Sequence, residues 1–222
     1  MINRNLIILS IGQVFSFTSP VVSVLLSGII GASMTNINYL ATLPTALMIV
    51  GTAIGSLIAS KVMKVKGRRF GFSLASIINS FFSLVCAYAI FIDNFVIFCL
   101  GNLTIGLSVS FAQQYRFAAS ESVQTSNIPK AISLILLLGI VASLLGANIV
   151  SLSKDILNST YVGSYIAMSL LTIIPFFFFV FYQNEKRTEE VYIKSQKSII
   201  ELLSNKDIQL SILSSGVGYA TM

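Results

Sequence analysis

Residues 39–92 decide the fold class, and they read YLATLPTALMIVGTAIGSLIASKVMKVKGRRFGFSLASIINSFFSLVCAYAIFI. Two apolar runs, Tyr39–Met63 and Phe70–Ile92, stand on either side of a basic stretch at residues 64–69. Each run exceeds the roughly 20 mostly apolar residues that a helix needs to cross the hydrocarbon core of a bilayer. Because lipid offers the backbone no hydrogen-bond partners, a spanning segment must form a helix. The stretch therefore predicts two membrane-spanning helices joined by a basic loop.

The rest of the chain repeats this pattern. With 55% hydrophobic and 10% charged residues over 222 positions, the composition excludes a soluble globule. Six segments are long and apolar enough to span a membrane: Leu6–Ile30, Tyr39–Met63, Phe70–Ile92, Phe95–Tyr115, Ala131–Ser153 and Tyr161–Tyr182. The predicted fold class is an all-α polytopic membrane protein with a six-helix transmembrane bundle at residues 1–182. A charged connector at 183–207 and the incomplete start of a seventh helix at 208–222 would follow.

Basic residues collect in alternate connections between the predicted spans. Of the 14 Lys and Arg residues, 13 lie before span one, around the loops between spans two and three and between spans four and five, or after span six. The other connections contain only Lys154. Basic residues favour cytoplasmic loops, so the N-terminus and the 183–207 connector are predicted to be cytoplasmic. The basic surplus reflects topology, so we expect the lipid bilayer as a partner and no nucleic acid.

The chain lacks much of what enzyme chemistry requires. It has no histidine, which excludes Ser-His-Asp nucleophiles and histidine-ligated zinc or haem. Cys86 and Cys99 lie inside apolar runs, where small buried side chains are expected. None of the eight acidic residues lies inside a predicted span, so this part of the chain has no intramembrane carboxylate relay for protons. We expect no enzyme activity, no cofactor and no metal site.

Small residues and prolines indicate how the predicted helices pack. Gly51 and Gly55 form a G-x-x-x-G pair in span two, and Gly139 and Gly146 lie on a face of small residues in span five. Such faces let helices approach closely in lipid. Prolines inside a span remove a backbone hydrogen bond and allow kinks, which is expected at three positions: Pro20, Pro44 and Pro175.

The loop after span two carries a family pattern. Its residues Gly67, Arg68 and Arg69 match the end of the loop G-x-x-x-D-R-x-G-R-R of the major facilitator superfamily, whereas Ser60 and Lys64 replace the first Gly and the Asp of that pattern. A second stretch, QQYRFAASE at residues 113–121, resembles a bacterial subgroup of the same superfamily. With its six spans and charged connector, the chain resembles the N-terminal half of such a transporter plus the start of the second half.

The resemblance implies a function and a partner. It implies part of a secondary active transporter that moves a small organic solute across a bacterial inner membrane by alternating access. The chain would be a split-gene product or a truncated transporter, and a separately encoded C-terminal half would be its partner. The alternative is a six-helix membrane protein without transport activity, either a degenerate remnant or an assembly partner.

The resemblance also implies site residues. In this family spans one, two, four and five line the solute cavity, which points to Gln13, Asn102 and Gln113 as lining side chains; the alternative for each is a hydrogen bond between helices. Gly67, Arg68 and Arg69 would form the loop motif that acts in conformational change, although Lys64 reverses the charge of the acidic position.

Overall fold

Helices make up almost all of the described chain. The computed structural model describes residues 3–157, 160–184, 208–211 and 214. Seven α-helices lie in the bundle: α1 (Arg4–Ser16), α2 (Thr18–Met34), α3 (Leu43–Phe91), α4 (Phe95–Ala112), α5 (Tyr115–Glu121), α6 (Ile128–Ser153) and α7 (Val162–Phe179). The described residues contain no strand. The prediction of an all-α polytopic membrane protein is confirmed.

Most of the region after the bundle lies outside the described residues. The predicted connector at 183–207 is described only at Gln183 and Asn184, and the predicted seventh helix only at residues 208–211 and 214, which are helical. Residues 186–222 form a unit separate from the bundle. The connector and the seventh helix therefore stay predictions.

The described residues contain five helical segments that are long and apolar enough to cross a membrane, where the sequence predicts six spans. The segments, all within the described residues, are Arg4–Met34, Leu43–Phe91, Phe95–Glu121, Thr125–Ser153 and Val162–Phe179. The difference lies in α3, whose 49 residues contain both the second and the third predicted span.

Helix α3 is two antiparallel arms that meet at Gly67. This glycine has φ 84° and ψ 163°, which is not a helical conformation. Before it, Gly51 lies against Leu103 and Gly55 lies against Ser110, so the first arm runs parallel to α4. After it, the ring of Phe72 packs edge-to-face against that of Tyr115 and Cys86 lies against Gly101, so the second arm runs antiparallel to α4. The chain thus reverses at Gly67, so the second and third predicted spans are separate arms and the described residues contain six candidate spans.

The three prolines at which kinks are expected behave differently from one another. Pro20 follows the break between α1 and α2 at Phe17, because its ring nitrogen cannot donate to the carbonyl of Ser16 four residues earlier. Pro175 lies inside α7, which continues to Phe179. The expectation that Pro44 kinks a span is wrong, because α3 begins at Leu43 and Pro44 occupies the first turn, where no intrahelical N–H is needed.

Aromatic side chains and hydroxyl pairs hold the spans together. The ring of Phe72 lies 4.8 Å from that of Tyr115 and 5.2 Å from that of Phe179, which joins the third, fourth and sixth spans. Ser19 donates to Asn79 at 3.0 Å, and the hydroxyl groups of Ser80 and Ser169 lie 2.9 Å apart. These bonds satisfy polar groups that would otherwise face hydrocarbon.

Candidate functional site

A cavity of about 270 Å³ lies between α1, α6 and the junction of α4 with α5. Its polar lining comes from Gln13, Gln113, Arg116 and Ser143. The remaining walls are mainly apolar: Phe17, Ala112, Ile135, Leu136, Gly139 and Ile140. A few polar groups set in an apolar wall are typical of a site for a small organic molecule.

The local structure explains why these side chains converge. Helix α4 ends at Ala112, and α5 starts three residues later at Tyr115. Gln113 and Arg116 therefore lie one helical turn apart and face the same space. On the opposite wall, a Cβ at Gly139 would lie 3.3 Å from Nε2 of Gln13. The absent side chain at Gly139 thus leaves room for the Gln13 amide.

The charge in this cavity is positive. Arg116 is the one charged residue in its described lining, and its guanidinium also lies 5.2 Å from the ring centre of Phe117. Arg116 and Ser143 are exposed and Gln113 is exposed too, whereas Gln13 is 4% exposed. Glutamine amides both donate and accept hydrogen bonds, and a guanidinium donates only. The arrangement can bind carbonyl, imide or anionic groups against an apolar wall.

The structure brings Gln13 and Gln113 together and places Asn102 elsewhere. Asn102 is fully buried, and its Nδ2 donates to the carbonyl of Phe98 at 3.0 Å. Asn102 and Ser23 both adjoin the hydroxyl of Tyr165, which is buried as they are. Asn102 thus belongs to a buried polar cluster, apart from the cavity lining.

The loop motif lies at the end of the bundle where basic residues collect. The guanidinium of Arg68 makes two bonds to the Glu121 carboxylate, from Nε at 2.8 Å and from Nη2 at 2.6 Å. The backbone N–H of Arg69 donates to Oδ1 of Asn184 at 2.9 Å. Nδ2 of Asn184 would lie 2.5 Å from a Cβ at Gly67, so this reversal needs glycine both for its positive φ and for space.

Two asparagines near the N-terminus bind to the same end of the bundle. Asn5 donates to the carbonyl of Gln183 at 2.9 Å and accepts from its N–H at 3.1 Å. Asn3 donates to the carbonyl of Ser122 and caps α1 by accepting from the N–H of Leu6. The start of span one, the loop after span four and the end of span six therefore share one end.

The packing glycines form close contacts between helices. A Cβ at Gly51 would overlap the carbonyl of Leu103, and one at Gly55 would lie 2.8 Å from the carbonyl oxygen of Leu107. A Cβ at Gly146 would lie 3.0 Å from Cγ1 of Val21. The first arm of α3 thus lies directly against α4, and α6 lies against α2.

Several residues of the site carry little or no signal in the sequence. The distribution of basic residues explains Arg116 as one of the cytoplasmic cations only. Its position three residues after Gln113 on a helix nevertheless places the two side chains on one face. Ser143 lies four residues after Gly139 and can be found in the same way. No local signal in the sequence points to Phe17 or Asn184, whose partners are distant along the chain.

Comparison with known proteins extends these observations. The chain is 30% identical over 222 residues to the riboflavin transporter RfnT of Brucella anthropi, a match that covers 99% of the chain and 56% of RfnT. It is 24% identical over 161 residues to the uncharacterized MFS-type transporter YdeG of Bacillus subtilis, which covers 72% of the chain and 37% of YdeG. No protein-family model matches the chain, and no solved structure matches it significantly.

The chain spans about half the length of RfnT and less of YdeG. Both relatives are named as transporters. The comparisons therefore support the resemblance of the chain to the N-terminal half of a major facilitator superfamily transporter.

Proposed function

We propose that the chain supplies one half of a secondary active transporter for a small organic solute, and that the cavity at Gln13 and Gln113 is its share of the solute site. The observation that carries the proposal is the convergence of two glutamine amides and one guanidinium, from the first and the fourth span, on a single cavity. Side chains that only join helices would be paired with each other and buried, whereas Gln113 and Arg116 are exposed.

Transport would follow by alternating access. In such a transporter the site lies between two halves, and one half rocks against the other so that the site opens to each side in turn. Helix α6 suits a surface that packs against the other half. Its most apolar stretch is 17% buried, whereas the corresponding stretches of the other four segments are 44–61% buried. A second six-helix half, on this chain or on another, is the proposed partner of that surface.

Riboflavin is the first solute to test. The proposal rests on the RfnT match, and the cavity is chemically compatible with it. An isoalloxazine ring is planar and apolar on its faces, and it carries carbonyl and imide groups on one edge. The amides of Gln13 and Gln113 and the guanidinium of Arg116 would bind that edge, and the ring of Phe17 would contact a face.

The membrane is proposed to be the bacterial inner membrane, with the N-terminus in the cytoplasm. Eight of the nine described basic residues lie at the end of the bundle that carries the N-terminus and the loop motif. Lys154, together with Asp93 and Asp155, belongs to connections at the other end. This asymmetry supports the orientation through the preference of basic residues for the cytoplasm.

Solute protection of an introduced thiol tests the proposed site. Both native cysteines are buried, so Ser143→Cys places one accessible thiol in the cavity lining. At a riboflavin concentration about ten times its Kd, reaction of this thiol with a maleimide should slow about tenfold. The matched control is Ser33→Cys, an exposed position outside the cavity, where riboflavin should have no effect.

Two further variants separate solute recognition from general damage. Gln113→Ala should abolish the protection, whereas Gln114→Ala, its neighbour outside the cavity lining, should retain it. A panel of sugars, amino acids and flavins covers other solute classes. If no solute protects Ser143→Cys, or if all protect Ser33→Cys equally, the cavity is not a solute site and a non-transporting membrane protein becomes the better account.

A further inference from the structure

A second concave surface lies apart from the solute cavity, at the N-terminal end of the bundle. This groove, about 540 Å³ in volume, runs between the start of α1 and the end of α7. Its lining consists of Asn3, Arg4, Ile7, Ile8, Phe178 and Phe181. No residue is shared with the cavity at Gln13, so a ligand here would be distinct from the transported solute.

The walls of the groove are apolar and exposed. Ile7 is 50% exposed, Phe178 is 38% exposed and Phe181 is 59% exposed. Three large apolar side chains in one groove suit contact with hydrocarbon, because water would be a poor solvent for such a surface. Since Ile7 and Ile8 lie about one helical turn beyond Arg4, roughly 5 Å deeper along the axis, the groove extends from the helix end towards the membrane interior.

A single cation stands at the mouth of this groove. The guanidinium of Arg4 is 5.7 Å from the ring centre of Phe181. Arg4 is exposed and makes no salt bridge with any described residue. A guanidinium next to an aromatic ring still has its N–H donors free for an anionic oxygen, and phosphate matches its fork of donors well.

The charge around the groove has the same sign. Among the described residues at this end of the bundle, Glu121 is the one acid, and it is already bound to Arg68. The basic residues are Arg4, Lys61, Lys64, Lys66, Arg68, Arg69, Arg116 and Lys130. This excess of positive charge attracts anionic headgroups to the end of the bundle, and Arg4 is the basic member that adjoins an apolar groove.

We propose that this groove binds an anionic phospholipid, with an acyl chain along Ile7, Phe178 and Phe181 and the phosphate on the Arg4 guanidinium. The proposal is independent of the proposed transport function, because it needs only the first and last spans of the bundle. Charge complementarity and the direction of the groove favour a lipid over a soluble anion, since a soluble anion would leave the apolar walls exposed.

The absence of tryptophan from the sequence allows a direct test. Phe178→Trp introduces a single tryptophan into the groove wall, and its indole can be excited selectively over the eight tyrosines. The full chain is reconstituted in vesicles that contain equal amounts of phosphatidylglycerol and phosphatidylcholine, with bromine on the acyl chains of one lipid at a time. Brominated phosphatidylglycerol should quench the introduced indole more strongly than brominated phosphatidylcholine does. The difference should correspond to about fivefold local enrichment of the anionic lipid.

Three variants in the Phe178→Trp background assign the effect to Arg4. Arg4→Gln should remove the preference for phosphatidylglycerol, and Arg4→Lys should retain part of it, because the charge remains without the planar fork. The matched control is Lys66→Gln, since Lys66 lies 4.7 Å from the ring centre of Phe70 at the same end of the bundle but outside the groove. This control should leave the preference unchanged. Helical content by circular dichroism verifies that each variant folds.

The outcomes are decisive in both directions. The proposal is supported if the preference is present, depends on Arg4 and is not reduced by excess soluble glycerol phosphate. Equal quenching by the two lipids overturns it, and so does a loss in Lys66→Gln as large as that in Arg4→Gln, which would indicate general attraction to the basic end. Absence of quenching by either lipid also overturns it, because protein would then cover the groove.

Discussion

Replacing Gly55 with alanine should destabilise the bundle, although alanine is the better helix former. In the first arm of α3, a Cβ at Gly55 would lie 2.8 Å from the carbonyl oxygen of Leu107 and 2.9 Å from its Cα. Both distances are well inside the roughly 3.5–4.0 Å at which carbon atoms pack best. These atoms belong to the backbone of α4, so no side-chain rotation relieves the overlap. The two helices would have to separate by about 0.6 Å.

The magnitude follows from two opposing effects. Overpacking a tight contact costs about 1–3 kcal/mol, and replacing a glycine inside a helix by alanine stabilises it by about 0.5–1 kcal/mol. The net loss should be about 0.5–2 kcal/mol. At about 2–4 °C of Tm per kcal/mol for a chain of this size, the Tm should fall by about 1–8 °C.

The matched control is Gly28→Ala in α2. No atom lies within 4 Å of a Cβ at Gly28, so only the gain in helix propensity remains and the Tm should rise by about 1–4 °C. A thiol-reactive dye measures both variants in detergent, because buried Cys86 and Cys99 react only when the bundle opens. If Gly55→Ala raises the Tm as Gly28→Ala does, the contact between α3 and α4 is not as close as described.

Three other outcomes are expected. Glu121→Gln should lower the free energy of unfolding by about 0.5 kcal/mol, because its ion pair with Arg68 is partly exposed. Adding Arg68→Gln should lower it little further. Thermal unfolding of the variants checks this, and a double variant whose loss equals the sum of the two single losses would contradict the pairing. Asn184→Ala should lower the free energy of unfolding by about 1 kcal/mol, since the backbone N–H of Arg69 loses its acceptor. Asn184→Asp keeps an acceptor oxygen and should retain most of that stability, so equal losses in the two variants would contradict the bond. A membrane-impermeant maleimide should label Ser33→Cys in intact cells and Lys66→Cys only after permeabilisation, and the reverse pattern would invert the topology.

The sequence predicts the spans well because hydropathy reports directly on what lipid requires. It predicts a loop between spans two and three, where the structure has a reversal at Gly67 inside one helical segment. A single residue with positive φ is enough for this reversal, so almost no polar loop separates the two arms. The conformation depends on Asn184, which is distant in sequence and binds the backbone after the turn.

The cavity could be predicted only in part. Polarity and position in the spans select Gln13 and Gln113, and the structure brings them to one cavity. Asn102 lies 11 residues before Gln113, so it falls on nearly the same face of α4 but about 16 Å away along the axis. At that level Phe98, Cys86 and Tyr165 surround it. Sequence periodicity gives the face of a helix, whereas neighbours from other spans decide where that face is open.

The most direct test of the account is uptake by reconstituted protein with and without a second half. The chain is fused to the part of RfnT that it does not match, and riboflavin uptake into vesicles is measured beside the 222-residue chain alone. We expect saturable uptake by the fusion and none by the chain alone. In the fusion, Gln113→Ala should slow uptake about tenfold at low riboflavin, whereas Gln114→Ala should leave uptake unchanged. Saturable uptake by the chain alone, or equal activity of the two glutamine variants, would contradict the account.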